Sequence, residues 1–83
     1  MKLGPGVVTA DTEYGLVLLD EGSGRYWRLN ETGALVATVL IEGGTPETAA
    51  RRLADRYGIH RPRAEQDVRA LLNALVAAGL ATE

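Results

Sequence analysis

The run Gly24-Arg25-Tyr26-Trp27-Arg28-Leu29-Asn30-Glu31-Thr32-Gly33-Ala34 limits what this chain can fold into more than any other stretch of it. Tyr26, Trp27 and Leu29 favour an extended strand. Asn30 suits a helix N-cap, because its side-chain oxygen accepts one of the N–H groups that a first turn leaves unpaired. Glu31 then places a negative charge where the helix dipole favours one. A strand over 25–29 is therefore predicted to run without a loop into a helix. The pattern before this stretch is β and the pattern after it is α, so the strand is the last of its sheet and lies at an edge. Such a strand offers a row of unpaired backbone groups to an extended peptide.

Upstream, two glycines around Pro5 predict a loose lead-in over 1–6. Val7–Thr9 reads as a short strand, and residues 11–15 as a connecting turn with polar residues and a glycine. A second strand over 15–20 carries Leu16-Val17-Leu18-Leu19, apolar on both faces, as in strands that are central or covered on both sides. Glu21-Gly22-Ser23-Gly24 is a hairpin loop. The three strands form an antiparallel meander. The two glycines of that loop do not make a phosphate cradle, which leads into a helix N-terminus; this loop leads into a strand.

Downstream, Leu35, Val36, Val39 and Leu40 recur at helical spacing and predict a first helix over 31–41, stopped by Gly43-Gly44. Thr45 caps a second helix over 46–57, with Pro46 in its first turn and Gly58 at its end. Its inner face is Ala49, Ala50, Leu53 and Tyr57; Arg51, Arg52, Asp55 and Arg56 form its solvated side. A third helix is predicted over 63–78, opened by Pro62 and closed by Gly79, with Leu80 folding back. Its core stripe is Val68, Leu71, Leu72 and Leu75. At 100° per residue, Asp67, Ala74 and Ala78 share one flank beside Leu71. That flank is nearly bare of large side chains. It either admits a neighbouring segment closely or is alanine filling space as a good helix former.

Three short strands followed by three helices give an α+β fold, a winged helix-turn-helix-like unit over residues 1–83 with a three-stranded antiparallel sheet. The core is aliphatic: among 46% hydrophobic residues there is no Phe, one Trp and three Tyr. A core of this size supplies roughly 3–5 kcal/mol. With no cysteine and a single histidine, His60, the chain has neither a thiolate nor a histidine set for a metal, and no cofactor is expected. The net charge of −2 argues against nucleic acid and anionic membrane as partners. No apolar run reaches the ~20 residues of a membrane span, and the N-terminus lacks a signal-peptide pattern, so a cytoplasmic location is expected.

The run Tyr26 to Ala34 resembles the PqqD-like family, which carries an aromatic–Leu–Asn–x–Thr–Gly/Ala pattern where strand meets helix. Gly43-Gly44-Thr45-Pro46-Glu47 is similar to that family's opening of the second helix, and Val68, Leu71, Leu72, Leu75, Gly79 and Leu80 to its C-terminal ending. The resemblance spans about Leu16 to Leu80. It implies a RiPP recognition element, which binds the leader segment of a ribosomally made precursor peptide and presents it to modifying enzymes. The leader then adds as a strand on the third strand, in the cleft against the third helix. The implied peptide-binding residues are Arg25, Tyr26, Trp27, Arg28 and Leu29 on the strand. On the helix they are Ala64, Asp67, Val68, Leu71, Ala74, Leu75 and Ala78. The length, the arginines of the second helix and the alanines of the third look most like the recognition subunit of lasso-peptide systems. There the partners are a separate leader peptidase and, afterwards, a macrolactam-forming cyclase. Within the family the alternative is the precursor chaperone of pyrroloquinoline quinone biosynthesis, which serves a radical-SAM enzyme.

Two other classes fit less well. A winged helix that reads DNA needs a basic third helix, and the exposed side here mixes Arg63, Glu65, Gln66, Asp67, Arg69 and Asn73. An enzyme needs a catalytic set. Asp20 and Glu21 are adjacent and point to opposite faces of a strand, Asp11 and Glu13 lie in a turn, and His60 reads as an exposed loop residue. No enzymatic activity is expected. Along the third strand, Trp27 shares a side with Arg25 and Leu29, and Tyr26 with Arg28. Trp27 is then a core residue, a wall of the peptide cleft, or both.

Overall fold

The computed structural model describes residues 1–83. Its elements in chain order are β1 (Lys2–Leu3), β2 (Val7–Thr12), β3 (Gly15–Asp20), β4 (Tyr26–Leu29), α1 (Glu31–Ile41), α2 (Pro46–Tyr57), α3 (Arg61–Ala77) and β5 (Ala81–Thr82). The strands β2, β3 and β4 form the expected antiparallel meander with β3 central, so β4 keeps one open edge. No helix is long and apolar enough to cross a membrane.

The caps act where their chemistry places them. The Gly33 N–H donates to Asn30 Oδ1 at 2.9 Å and starts α1 directly after β4. The Thr48 N–H donates to Thr45 Oγ1 at 3.1 Å and starts α2, which ends on Gly58 with φ +64°. Leu80 folds back as expected and is buried, its N–H donating to the Leu75 carbonyl.

Four details differ from the sequence expectation. The lead-in is not loose: Lys2 pairs with Thr82 and Leu3 with Ala81 in a second, two-stranded sheet that joins the ends of the chain. The turn over 11–15 is shorter, because β2 continues through Thr12, opposite Gly15. The Thr12 hydroxyl holds the tight turn by donating to the Gly15 carbonyl at 3.0 Å and accepting the Tyr14 N–H at 3.2 Å. The last strand begins at Tyr26 rather than Arg25. Finally, α3 starts at Arg61 instead of 63 and ends at Ala77, since a proline is tolerated anywhere in a first turn whose N–H groups have no partner.

The interior divides in two. One cluster lies among the helices, with Val36, Val39, Leu40, Leu53, Val68 and Leu72 at its centre. The other lies under the sheet, where Leu16 and Leu18 of β3 meet Ala37, Leu75 and Leu80. Leu71 touches both, and is half-buried rather than enclosed. Ala64 among the helices and Ala37 under the sheet are fully buried, so alanine here sets how closely the neighbouring elements approach. Val17 and Leu19, on the other face of β3, are only half-buried.

Gly15 opens β3 at φ +138°, and a Cβ there would collide with the Leu29 carbonyl oxygen, at the end of β4. Gly15→Ala therefore combines backbone strain with a clash against main chain that cannot move without shifting β4. We expect a loss of about 2 kcal/mol or more of unfolding free energy, read by denaturant titration. A Gly15→Ala protein as stable as the parent would show that β4 is not held against this turn.

Candidate functional site

The expected site combines the open side of β4 with a flank of α3. Leu29 lies opposite Leu16 and Trp27 opposite Leu18, both buried, so Trp27 and Leu29 face the helices. Arg28 and Tyr26 lie opposite Val17 and Leu19 and face outward; Tyr26 is 61% exposed. Trp27 and Leu29 pack half-buried on the sheet-side core cluster, as do Leu71 of α3 and Ala78 at its C-cap. One strand edge and one helix flank thus rim the same core. Between Leu71 and Ala78 the flank carries only Ala74, which is exposed. A methyl group there leaves room that a larger side chain would fill.

Three of the helix residues implied by the family resemblance present no surface. Ala64, Val68 and Leu75 are 0, 1 and 2% exposed. Ala64 and Val68 belong to the cluster among the helices, and Leu75 lies beneath the sheet. They turn inward because a helix buries one stripe, and these three occupy its centre. Their role is to hold the flank in place.

Charge at the rim is sparse and exposed. Arg63 pairs with Asp67 at 3.3 Å, Arg61 with Glu65 at 3.6 Å and Arg69 with Glu83 at 3.1 Å. Each of these pairs is open to solvent and adds little to stability. Each arginine of α3 has a carboxylate neighbour, which removes any basic stripe from that helix. The Arg25 guanidinium instead lies 4.6 Å from the centroid of the Trp27 ring. No three acidic, histidine or cysteine side chains converge as a metal site would require.

At the Leu29 end of β4 a small cavity of about 150 Å³ opens between the start of α1 and α3. Its apolar wall includes Val36, Leu53, Ile59 and Leu71, and Thr32, Asn30 and Asp67 supply polar groups. Asp67 and Leu71, implied by the family resemblance as peptide-binding residues, line this cavity together with Thr32, Gly33 and Ile59, which the sequence reading did not assign to the cleft. The signal was present in the cap: Asn30 fixes the first turn of α1, so the residues just after it must stand at the end of the strand.

The family model for Coenzyme PQQ synthesis protein D (PqqD) matches residues 15–81. The chain belongs to the PqqD family. Among solved structures it is similar to a lasso peptide synthetase B1 complexed with the leader peptide, at 41% identity and a TM-score of 0.92, covering 99% of this chain and 96% of that one. It is also similar to TbiB1 in complex with the TbiA(beta) leader peptide, at 33% identity and a TM-score of 0.87, covering 98% and 94%. No curated protein matches significantly. The resemblance to RiPP recognition elements and the α+β fold expected from the sequence both hold.

The Asn30 cap supports the strand-to-helix junction on which this arrangement stands, its Oδ1 accepting both the Gly33 N–H and the Thr32 hydroxyl. Asn30→Ala is expected to cost about 1 kcal/mol, which lowers the melting temperature of a domain this small by roughly 4–8 °C. Asn30→Asp retains most of the parent stability. Equal melting of all three proteins would remove the cap from this account.

Proposed function

We propose that this chain binds the leader segment of a ribosomally synthesised lasso-peptide precursor by strand addition to β4, antiparallel, and delivers it to a separate leader peptidase. A macrolactam-forming cyclase then acts on the product. One observation carries the reading. The open edge of β4 stands beside a small-residue flank of α3 over a shared core, in a chain 41% identical to a B1 protein complexed with its leader. Main-chain pairing supplies affinity that many peptides share, so selectivity comes from the pockets that receive alternate side chains.

The family's name favours a second reading, a precursor chaperone in pyrroloquinoline quinone synthesis. Two leader-peptide complexes, one of them of a lasso peptide synthetase B1, each match nearly the whole chain and weigh towards the first. A DNA-binding role has less support. The arginines of α3 are neutralised by Glu65, Asp67 and Glu83, and affinity for duplex DNA depends on several unpaired cations.

The test is calorimetric titration with the leader of the 41%-identical B1 relative, made as a synthetic peptide, beside circular dichroism to confirm folding. Ala74→Trp fills the flank and is expected to weaken binding at least about tenfold, which is 1.4 kcal/mol. Arg52→Ala, on the exposed side of α2, leaves it unchanged. A folded Ala74→Trp protein that binds like the parent, while the Arg52 variant loses the peptide, would place the cleft elsewhere.

Delivery needs a second surface. The outer sheet face offers one: Val8, Leu19 and Tyr26 lie in one cross-strand row, and Ala10, Val17 and Arg28 in the next. Val8 is 41% exposed on this face. The chain itself has no hydrolytic role in this reading; the peptidase requires it in trans. Val8→Asp is expected to leave leader affinity intact and to slow leader removal by the peptidase, followed by mass spectrometry of the precursor. Cleavage at the same rate with the protein omitted would end the delivery proposal.

A further inference from the structure

Arg25 lies one residue before β4, opposite Asp20, whose N–H donates to the Arg25 carbonyl at 2.9 Å. Opposite charges facing each other across two strands ordinarily pair. Here they do not. Asp20 Oδ1 accepts the Gly22 N–H at 3.0 Å and Oδ2 accepts the Ser23 hydroxyl at 3.0 Å, so the carboxylate is committed to its own turn. Ser23 Oγ also accepts the Arg25 N–H at 3.2 Å, which fixes the backbone there. The guanidinium is left over the Trp27 ring, at 4.6 Å, and the three ion pairs of the chain use Arg61, Arg63 and Arg69 instead.

This geometry has a chemical consequence. A guanidinium resting over an aromatic ring keeps its charge close to the ring face and still has N–H donors to offer a carboxylate, which its planar fork can grip with two parallel hydrogen bonds. Arg25 is also on the helix-facing side of the strand, the side of Trp27 and the cleft, whereas Arg28 faces outward. A peptide antiparallel to β4 runs from the Leu29 end towards the Arg25 end, so its C-terminal part passes Arg25.

We propose that Arg25, seated on Trp27, is a specificity-determining residue that recognises an Asp or Glu side chain in the C-terminal part of the bound leader. The inference rests on the leader-binding reading above.

The experiment uses the leader of the 41%-identical B1 relative as two matched sets of synthetic peptides. One set carries a single Glu moved stepwise through the positions on the C-terminal side, and the other carries Gln at the same positions. Binding is read by calorimetry and by the emission of Trp27, the single tryptophan of the chain. In the parent protein, Glu is expected to bind roughly two- to fivefold more tightly than Gln at one position, the range of an exposed ion pair. That preference weakens with added salt. It disappears in Arg25→Gln, survives in Arg28→Gln, and returns in part in Arg25→Lys, which keeps the charge without the planar fork. Equal binding of Glu and Gln peptides at every position would overturn the inference while leaving leader binding intact. So would a Glu preference that persists in Arg25→Gln. If no peptide of either set binds the parent, the leader-binding reading fails and takes this inference with it.

Discussion

The passage of the chain from Leu29 to Asn30 is the constraint on which the rest depends. With no loop between β4 and α1, the direction of the strand determines where the helix begins, and the cap at Asn30 prevents the helix from starting elsewhere. Gly15 tightens the arrangement from the other side, because the start of β3 passes so close to the Leu29 carbonyl that no side chain fits between them. An edge strand of four residues would pair weakly if left to itself. Here its far end is pinned between a turn and a helix cap, and its inward residues, Trp27 and Leu29, rest on a buried cluster. The open edge is therefore held straight by interactions that leave its outer hydrogen-bonding groups unused.

The packing beneath the site is divided in a way that separates stability from recognition. The helices hold one another through Val36, Leu40, Leu53, Val68 and Leu72, at a distance from the sheet. The sheet is held through Leu16, Leu18, Leu75 and Leu80. Leu71 bridges the two clusters and also reaches the cavity at the end of β4, so a change there would disturb both folding and the site. Ala74 is exposed. A larger side chain there would project from the flank of α3, because the buried residues Val68, Leu72 and Leu75 that hold the helix in place lie roughly 100–160° away around it.

What local chemistry determines was legible, and what depends on distant pairing was not. Asn30, Thr45 and Gly58 mark helix ends by satisfying the groups a helix leaves unpaired, and the spans Glu31–Ile41 and Pro46–Tyr57 follow from them. The alternation of Trp27 and Leu29 against Tyr26 and Arg28 needed only the two-residue period of a strand. The pairing of Lys2–Leu3 with Ala81–Thr82 had no such mark, since two residues carry no period and the partners lie at opposite ends of the chain. The second half of β2 was hidden for a similar reason: Ala10 and Asp11 are poor strand formers alone, and residues 10–12 are extended because β3 pairs with them. At the site, Ala64, Val68 and Leu75 were implied by the family resemblance, whereas the helical spacing alone already put Val68 and Leu75 in the core stripe, where both lie buried. The cavity beside Asn30 brings residues of three helices together, and no local pattern announces that.

Leaving a strand edge open carries a hazard, because any extended chain can add to it. The two edges of this sheet handle it differently. β2 is longer, and carries Val8 and Ala10 on one face but Asp11, a charge, on the face that meets the core. An inward-pointing charge near the end of an edge strand discourages a second copy from docking there, since pairing would draw that carboxylate further from water. β4 has no such inward charge in its span: Trp27 and Leu29 are its inward residues, and its arginines stand outside the strand or on the outer face. An extended chain arriving at β4 therefore meets Trp27 and Leu29 along the span of the strand, and a charge on that side, Arg25, only beyond its N-terminal end. The asymmetry favours strand addition at one edge over the other, and it follows from which side of each strand bears the charge.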